Sequence, residues 1–121
     1  MNAYTAREAV LTAAHEEFGV SPKDILSKTR IQHIAHARQM AMHAYKALHP
    51  TASLTAIGCD FDRDHTTVLH ALEAVKRRAD ADPELRARLE RMTDAACERY
   101  NPRPVFVAQG NPMFKSYRGK K

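Results

Sequence analysis

The stretch DRDHTTVLHAL, residues 62–72, sets a carboxylate, an imidazole and two hydroxyls side by side at Asp64, His65, Thr66 and Thr67. These are the group types of a hydrolytic site, but their spacing argues against one. Asp64 sits where an N-cap belongs, so the residues after it open a helix. Neighbours on a helix diverge by roughly a quarter turn or more and cannot align as base and nucleophile. The same groups can instead bond outward, to a nucleic acid. Threonine methyls can meet a thymine methyl, hydroxyls can serve bases or phosphates, and an aspartate can accept from a cytosine amino group. His65 can donate to a phosphate or base oxygen, and the N–H groups of a helix N-terminus favour an anion. Two adjacent threonines are mediocre helix formers, so a chain needing only a helix would more naturally use Ala, Glu or Lys here. The plainer alternative is a capped surface helix with an idle polar first turn.

Other chemistry finds less support. His33 and His36 share a helical spacing of three, but no third ligand is placed by spacing, and His65 and His70 point different ways, so no metal is expected. Cys59 and Cys97 stand apart without a CxxC, which fits a reducing cytoplasm better than redox or metal chemistry. No GxxxxGK[ST] loop occurs in the sequence, so neither a nucleotide cofactor nor ATP hydrolysis is expected of it. Met40, Met42 and Met92 read as core filling. The expectation is a binding protein, with no cofactor and no enzymatic step.

The elements that must position these residues are helical. Thr5 and Glu8 make a capping box for a helix that Gly19 stops. Ser21 and Pro22 open a short second one. The run IQHIAHARQMAMHAYKALH puts Ile31, Ile34, Ala41, Met42, Tyr45 and Leu48 on roughly one face, before Pro50. SLTAIG predicts a short helix capped by Ser53 with Gly58 near its end. DHTTVLHALEAVKRR follows, with Val68, Leu72 and Val75 inward. A last helix starts at Asp82-Pro83 and aligns Leu85, Leu89, Met92 and Ala96, for core packing or, alternatively, a dimer seam. No segment alternates like a strand. The expected fold is all-α, with residues 1–100 as one DNA-binding domain and residues 101–121 as a basic tail containing prolines.

Charge divides the chain in the same way. The net +5 lies wholly in residues 101–121, which hold five Lys/Arg and no acid, while the 14 cations and 14 acids of the body cancel. Within the body, no acid lies between Asp24 and Asp60, whereas Lys28, Arg30, Arg38 and Lys46 fall there with four histidines. Such a stretch suits a polyanion, although a solvated helix face would look similar. No run of 18 apolar residues could span a membrane, and Arg7 and Glu8 interrupt any signal-peptide core.

Two consecutive helices joined by a tight turn make a candidate helix-turn-helix, whose second helix carries the base-reading residues at its N-terminus. At this point the match becomes specific. RDHTTVLHA, with SLTAIG upstream and ARQMAM before that, resembles the C-terminal DNA-binding domain of the bacterial replication initiator DnaA. FGVSPKDILSKTR resembles that domain's first helix end, short helix and basic loop, and the resemblance covers about residues 8–78. It implies a helical bundle of the Trp-repressor-like type with a helix-turn-helix that reads the DnaA box, a short asymmetric duplex site.

Carried over by residue, the resemblance implies that Arg30 enters the minor groove from the basic loop. Asp64, His65, Thr66 and Thr67 form the major-groove tip, and His70 lies on the recognition helix near the DNA. Lys28, Arg38, Gln39, Lys46 and Arg63 mainly contact the phosphate backbone, positioning rather than specifying. There are departures too. Phe61-Asp62 stands where the family usually has two glycines, and Gln32 and His36 replace positions that are often basic. An acid at 62 should weaken non-specific affinity, and each lost phosphate contact should lower the salt slope by about 0.9.

The function expected is site-specific binding of double-stranded DNA at DnaA-box-like sequences, tied to replication initiation or its regulation, by a cytoplasmic, nucleoid-associated monomer or weak dimer of bacterial or phage origin. A transcriptional regulator with another operator remains open, as does an adaptor whose apolar, basic tail recruits a replication protein.

Overall fold

The computed structural model describes residues 5–100. The C-terminal tail, residues 101–121, and the roles expected of it lie outside the described residues. Six helices run in order: α1 (Ala6–Phe18), α2 (Pro22–Leu26), α3 (Gln32–Leu48), α4 (Leu54–Phe61), α5 (His65–Ala81) and α6 (Pro83–Tyr100). There is no strand among the described residues.

Local signals set most of these boundaries. The Thr5 hydroxyl accepts from the Glu8 amide, and Glu8 accepts in return from the Thr5 amide, both at 3.1 Å. Gly19 closes α1 in the left-handed region at φ 73°. Ser21, Ser53 and Asp64 each accept from an amide in the first turn of the helix they precede. Asp82 does the same for α6, accepting from Glu84 and Leu85 at 3.1 and 3.2 Å.

Long-range packing sets the rest. α3 is the central helix: it packs against α1, α5 and α6, while α4 rests mainly on α5. The small residues Ala6, Ala9, Ala13 and Ala14 line the buried side of α1, which lets it lie close to α6 and α3. Phe61, Ile25, Met40, Met42, Ile57, Val68 and Val75 have essentially no exposed surface, each contributing about 1.5–3 kcal/mol for a side chain of this size. The apolar side of α6, Leu89, Met92 and Ala96, is buried in this core, so it is spent inside the molecule rather than offered as a dimer seam. Glu17 links α1 to α6 through Arg88 at 3.1 Å and Arg91 at 2.9 Å. Burial opposes ionisation of Glu17, but the two guanidinium groups outweigh it and hold the carboxyl below its ordinary value.

Two expectations need correction. Ile31 does not join the apolar face of α3: it stands before the helix as its N-cap residue, with no side-chain cap, and is 55% exposed. The other concerns Gly58, which does not end its helix. α4 continues to Phe61, and Asp62 takes the left-handed turn at φ 58°, ψ 49°. The physical reason is that Phe61 is needed in the core, where it meets the Tyr45 ring edge-on at 6.1 Å. Tyr45 also ties α3 to α4 by donating its hydroxyl proton to Asp60. No helix among the described residues is long and apolar enough to cross a membrane.

Candidate nucleic-acid interface

The link between α4 and α5 is built by backbone hydrogen bonds. The Arg63 amide donates to the Gly58 carbonyl at 2.8 Å, and the Asp62 amide to Cys59 at 3.4 Å, the pair that defines a Schellman turn. That turn folds the chain back over Gly58. A Cβ at position 58 would lie 2.3 Å from the Arg63 carbonyl oxygen. Gly58 is therefore the residue that lets the turn close, and a left-handed aspartate, tolerated better than most side chains, completes it.

The turn is then fastened to the loop between α2 and α3. Arg63 donates to the Ser27 carbonyl at 2.6 Å, and to its own turn at Phe61 and Asp62. From the other side Arg38 donates to Ile25 at 2.7 Å, Ser27 at 2.9 Å and Thr29 at 3.3 Å. The Ser27 carbonyl thus accepts from both guanidinium groups. Lys28 spans the same gap, 3.0 Å from the Asp62 carboxylate and 3.1 Å from the Asp62 carbonyl. Hydrogen-bonded and charged beside it, Lys28 holds the Asp62 carboxyl below the usual aspartate range.

This clamp changes the reading of Arg38. A surface phosphate contact was implied for it, but the side chain is only 8% exposed and spends its donors on backbone carbonyls. Burial, then the nearby Arg63 charge, lower its pKa; with no carboxylate among its hydrogen-bond partners, what holds it is the carbonyl cage. Arg38 fixes the loop that carries Lys28 and Arg30. Arg30 itself is exposed on that loop, beside the helix-turn-helix.

At the other end of the turn lies the tip. Asp64, His65, Thr66 and Thr67 are all exposed. The Asp64 carboxylate accepts from both the amide and the hydroxyl of Thr66, and these two bonds hold its pKa down. The Thr66 hydroxyl proton is therefore committed to the cap, leaving that oxygen as an acceptor. Thr67 and His65 carry the uncommitted donors, His65 with its Nδ1 3.9 Å from Asp64. His70 is exposed further along α5.

Leu69 was not singled out from sequence. It is 39% exposed and lies three residues after Thr66 and four after His65, so it shares their helix face. That spacing was the available signal. An apolar side chain at this place can contact a thymine methyl.

Two residues of the expected set are not at the tip. The Gln39 carbonyl oxygen accepts from Arg78 at 3.0 Å, and Arg78 stands about 20 Å along α5 from His65 at the helical rise per residue. The Lys46 ammonium donates to the Pro50 and Ala52 carbonyls at 2.9 and 2.8 Å, bracing the loop that leads into α4. Lys28 and Arg63 thus meet at the turn that leads into Asp64, Arg30 lies two residues beyond Lys28 on the same loop, and Gln39 and Lys46 bond to Arg78 and to the Pro50 and Ala52 carbonyls. No group of three or more His, Cys, Asp or Glu side chains among the described residues is arranged to hold a metal.

Comparison with known proteins identifies the family of this helix-turn-helix. A family model described as bacterial dnaA protein helix-turn-helix matches residues 7–75. The chain is similar to proteins named chromosomal replication initiator protein DnaA from Neisseria meningitidis serogroup C and from Neisseria gonorrhoeae. Each is 38% identical over 86 residues, covering 70% of this chain and 16% of the relative. The chain therefore spans about a sixth of the length of these relatives.

Proposed function

The chain belongs to the family of bacterial DnaA helix-turn-helix domains, and from that premise we propose that it binds double-stranded DNA at DnaA-box-like sites. The observation that carries this reading is the double clamp on Ser27. It holds the basic loop and the recognition tip in one fixed relation, so that Arg30 and the first turn of α5 can engage adjacent grooves of one duplex. Thr67, His65 and Leu69 read base edges in the major groove, while Asp64 accepts from a cytosine amino group. Lys28, exposed beside the turn, faces the phosphates, while Arg63 holds the turn in place. The protein works in the bacterial cytoplasm, on the nucleoid, and its task is control of replication, by occupying sites in competition with a full-length initiator or by marking an origin. No enzymatic step of its own enters this reading.

Selection of bound sequences from random duplex tests the site. An asymmetric DnaA-box-like consensus is the expected result, and a palindrome would point to a dimeric regulator instead. Arg30→Ala and Thr67→Ala should each cost about 1–3 kcal/mol on the selected site and much less on random duplex, since base contacts carry the sequence preference. Titrations on both duplexes check this, and equal losses on the two would remove the specific-readout reading.

Asp62→Asn tests the phosphate side. Asparagine keeps the left-handed turn but removes the carboxylate that holds Lys28. Affinity for any duplex should rise at low salt, and the slope of log K against log salt should steepen by about 0.9 for one additional phosphate contact. An unchanged slope would mean that Lys28 stays out of the DNA contact.

A further inference from the structure

Ile31 departs from two local rules at once. It stands at the N-cap of α3 and makes no capping hydrogen bond, although Ser, Thr, Asp or Asn there would satisfy an amide of the first turn. Its side chain is also one of two large apolar ones, with Leu69, that are exposed among the described residues. A single exposed isoleucine is ordinary on a protein surface. Giving up both a cap and burial at one position is not, and such departures are expected where a residue serves function.

The backbone on both sides of Ile31 is fastened. Its amide donates to the Thr29 hydroxyl oxygen at 3.3 Å, and its carbonyl accepts from Ile34 and Ala35 at 3.1 and 2.9 Å. The Thr29 carbonyl in turn accepts from Arg38. The side chain is therefore positioned before any partner arrives, and little ordering cost opposes a contact. Its surroundings indicate the partner. Arg30, Gln32 and His33 beside it are exposed, no acid occurs from residue 25 to 59, and the clamp on Ser27 ties this loop to the recognition tip. One isoleucine among basic and polar side chains suits a duplex, which offers a groove to Arg30 and carbon-bound deoxyribose hydrogens along the groove wall. At φ −56° and ψ 128° the chain is close to polyproline II, so successive side chains diverge. Ile31 thus meets the wall of the groove rather than following Arg30 into it.

We infer that Ile31 packs on the deoxyribose wall of the groove that Arg30 enters, an apolar contact kept in place of a helix cap. The inference rests on the DNA-binding reading above. Because no charge is involved, the contact releases no counterions and adds affinity equally at every salt concentration.

Hydroxyl-radical cleavage attacks deoxyribose hydrogens and so reads this contact directly. On the selected duplex with saturating full chain, sugars beside the tip and sugars beside the Arg30 groove should both be protected. Ile31→Ala should expose the second set alone and weaken binding roughly three- to tenfold, with the slope of log K against log salt unchanged. Ile31→Asn, which supplies a cap, should weaken binding likewise yet melt roughly 4 °C higher than the parent. Identical protection or affinity in Ile31→Ala overturns the inference and leaves DNA binding standing, and a changed salt slope overturns it by tracing the loss to a displaced cation. A melting temperature for Ile31→Asn no higher than the parent's overturns the claim that the contact stands in place of a cap. A parent chain that protects no sugar on any duplex removes the DNA-binding reading itself.

Discussion

Arg38→Met is expected to lose about 3–5 kcal/mol of folding stability. Arg38 gives hydrogen bonds to the carbonyls of Ile25, Ser27 and Thr29. Removing a buried charged donor leaves its acceptors with the cost of their lost hydration, about 1–3 kcal/mol each. The opposing effect is relief from burying a guanidinium, and for ion pairs that relief can cancel the loss. Here it does not, because a methionine replaces only one partner and the carbonyls stay behind. Ile25, fully buried, gives water the poorest access to its carbonyl. Arg38→Lys should recover only part of the stability, since one ammonium cannot present a planar fork to three separate acceptors. Thermal unfolding should show a fall of more than about 10 °C for the methionine variant. A melting temperature within a few degrees of the parent would mean that the loop holds its shape without Arg38.

Gly58→Ala produces the second large effect, and its character is different. Alanine is the better helix former by about 1 kcal/mol, so on propensity alone the change would stabilise α4. The added Cβ, however, meets the Arg63 carbonyl at 2.3 Å, a contact with backbone that no rotamer change relieves. Moving that carbonyl pulls on the Arg63 amide bond to Gly58 and on the Arg63 bond to Ser27. Overpacking of this kind costs about 1–3 kcal/mol, and in this fold it also displaces the Asp64 cap. Stability should fall by about 1–2 kcal/mol net, while affinity for the selected duplex falls by tenfold or more, because a tip moved by even an ångström would lose the base contacts proposed for it. Denaturant unfolding and a duplex titration on the same sample check both halves. Cys59→Ala, at the exposed neighbouring position, is the control that should change neither. A Gly58→Ala protein as stable as the parent and binding as tightly would show that the turn is not built around a missing side chain.

These two residues also mark where sequence reasoning stops. The helix starts were legible because their cause is local. A Ser, Thr or Asp one residue before a helix meets an amide two or three residues later, and nothing distant needs to be known. The core of α3 and α6 was legible in the same way, from spacing. The tip at Asp64–Thr67 stood out by composition, and RDHTTV carried the family. Gly58 was noticed for the wrong reason: a glycine near a helix end reads as a stop, whereas this one stays inside α4 and makes room for the chain returning over it.

What the sequence determined by itself was therefore the helical elements, their order and the polar side chains that open α5, all consequences of contacts within a few residues. The tertiary structure decided which cations face outward. Lys28, Arg30, Arg38, Lys46 and Arg63 are alike in a string of letters, each a cation in a basic stretch. Folding brings the α2–α3 loop against the helix-turn-helix, and its carbonyls, left without partners by a chain that is neither helix nor strand there, must be satisfied. Arg38 and Arg63 are the donors within reach and are consumed by that need, Lys46 is consumed in the same way by the loop before α4, and Arg30 is left exposed. Which side chain is spent on the fold depends on residues distant in sequence, such as 27 and 63, and only their meeting in space could assign it.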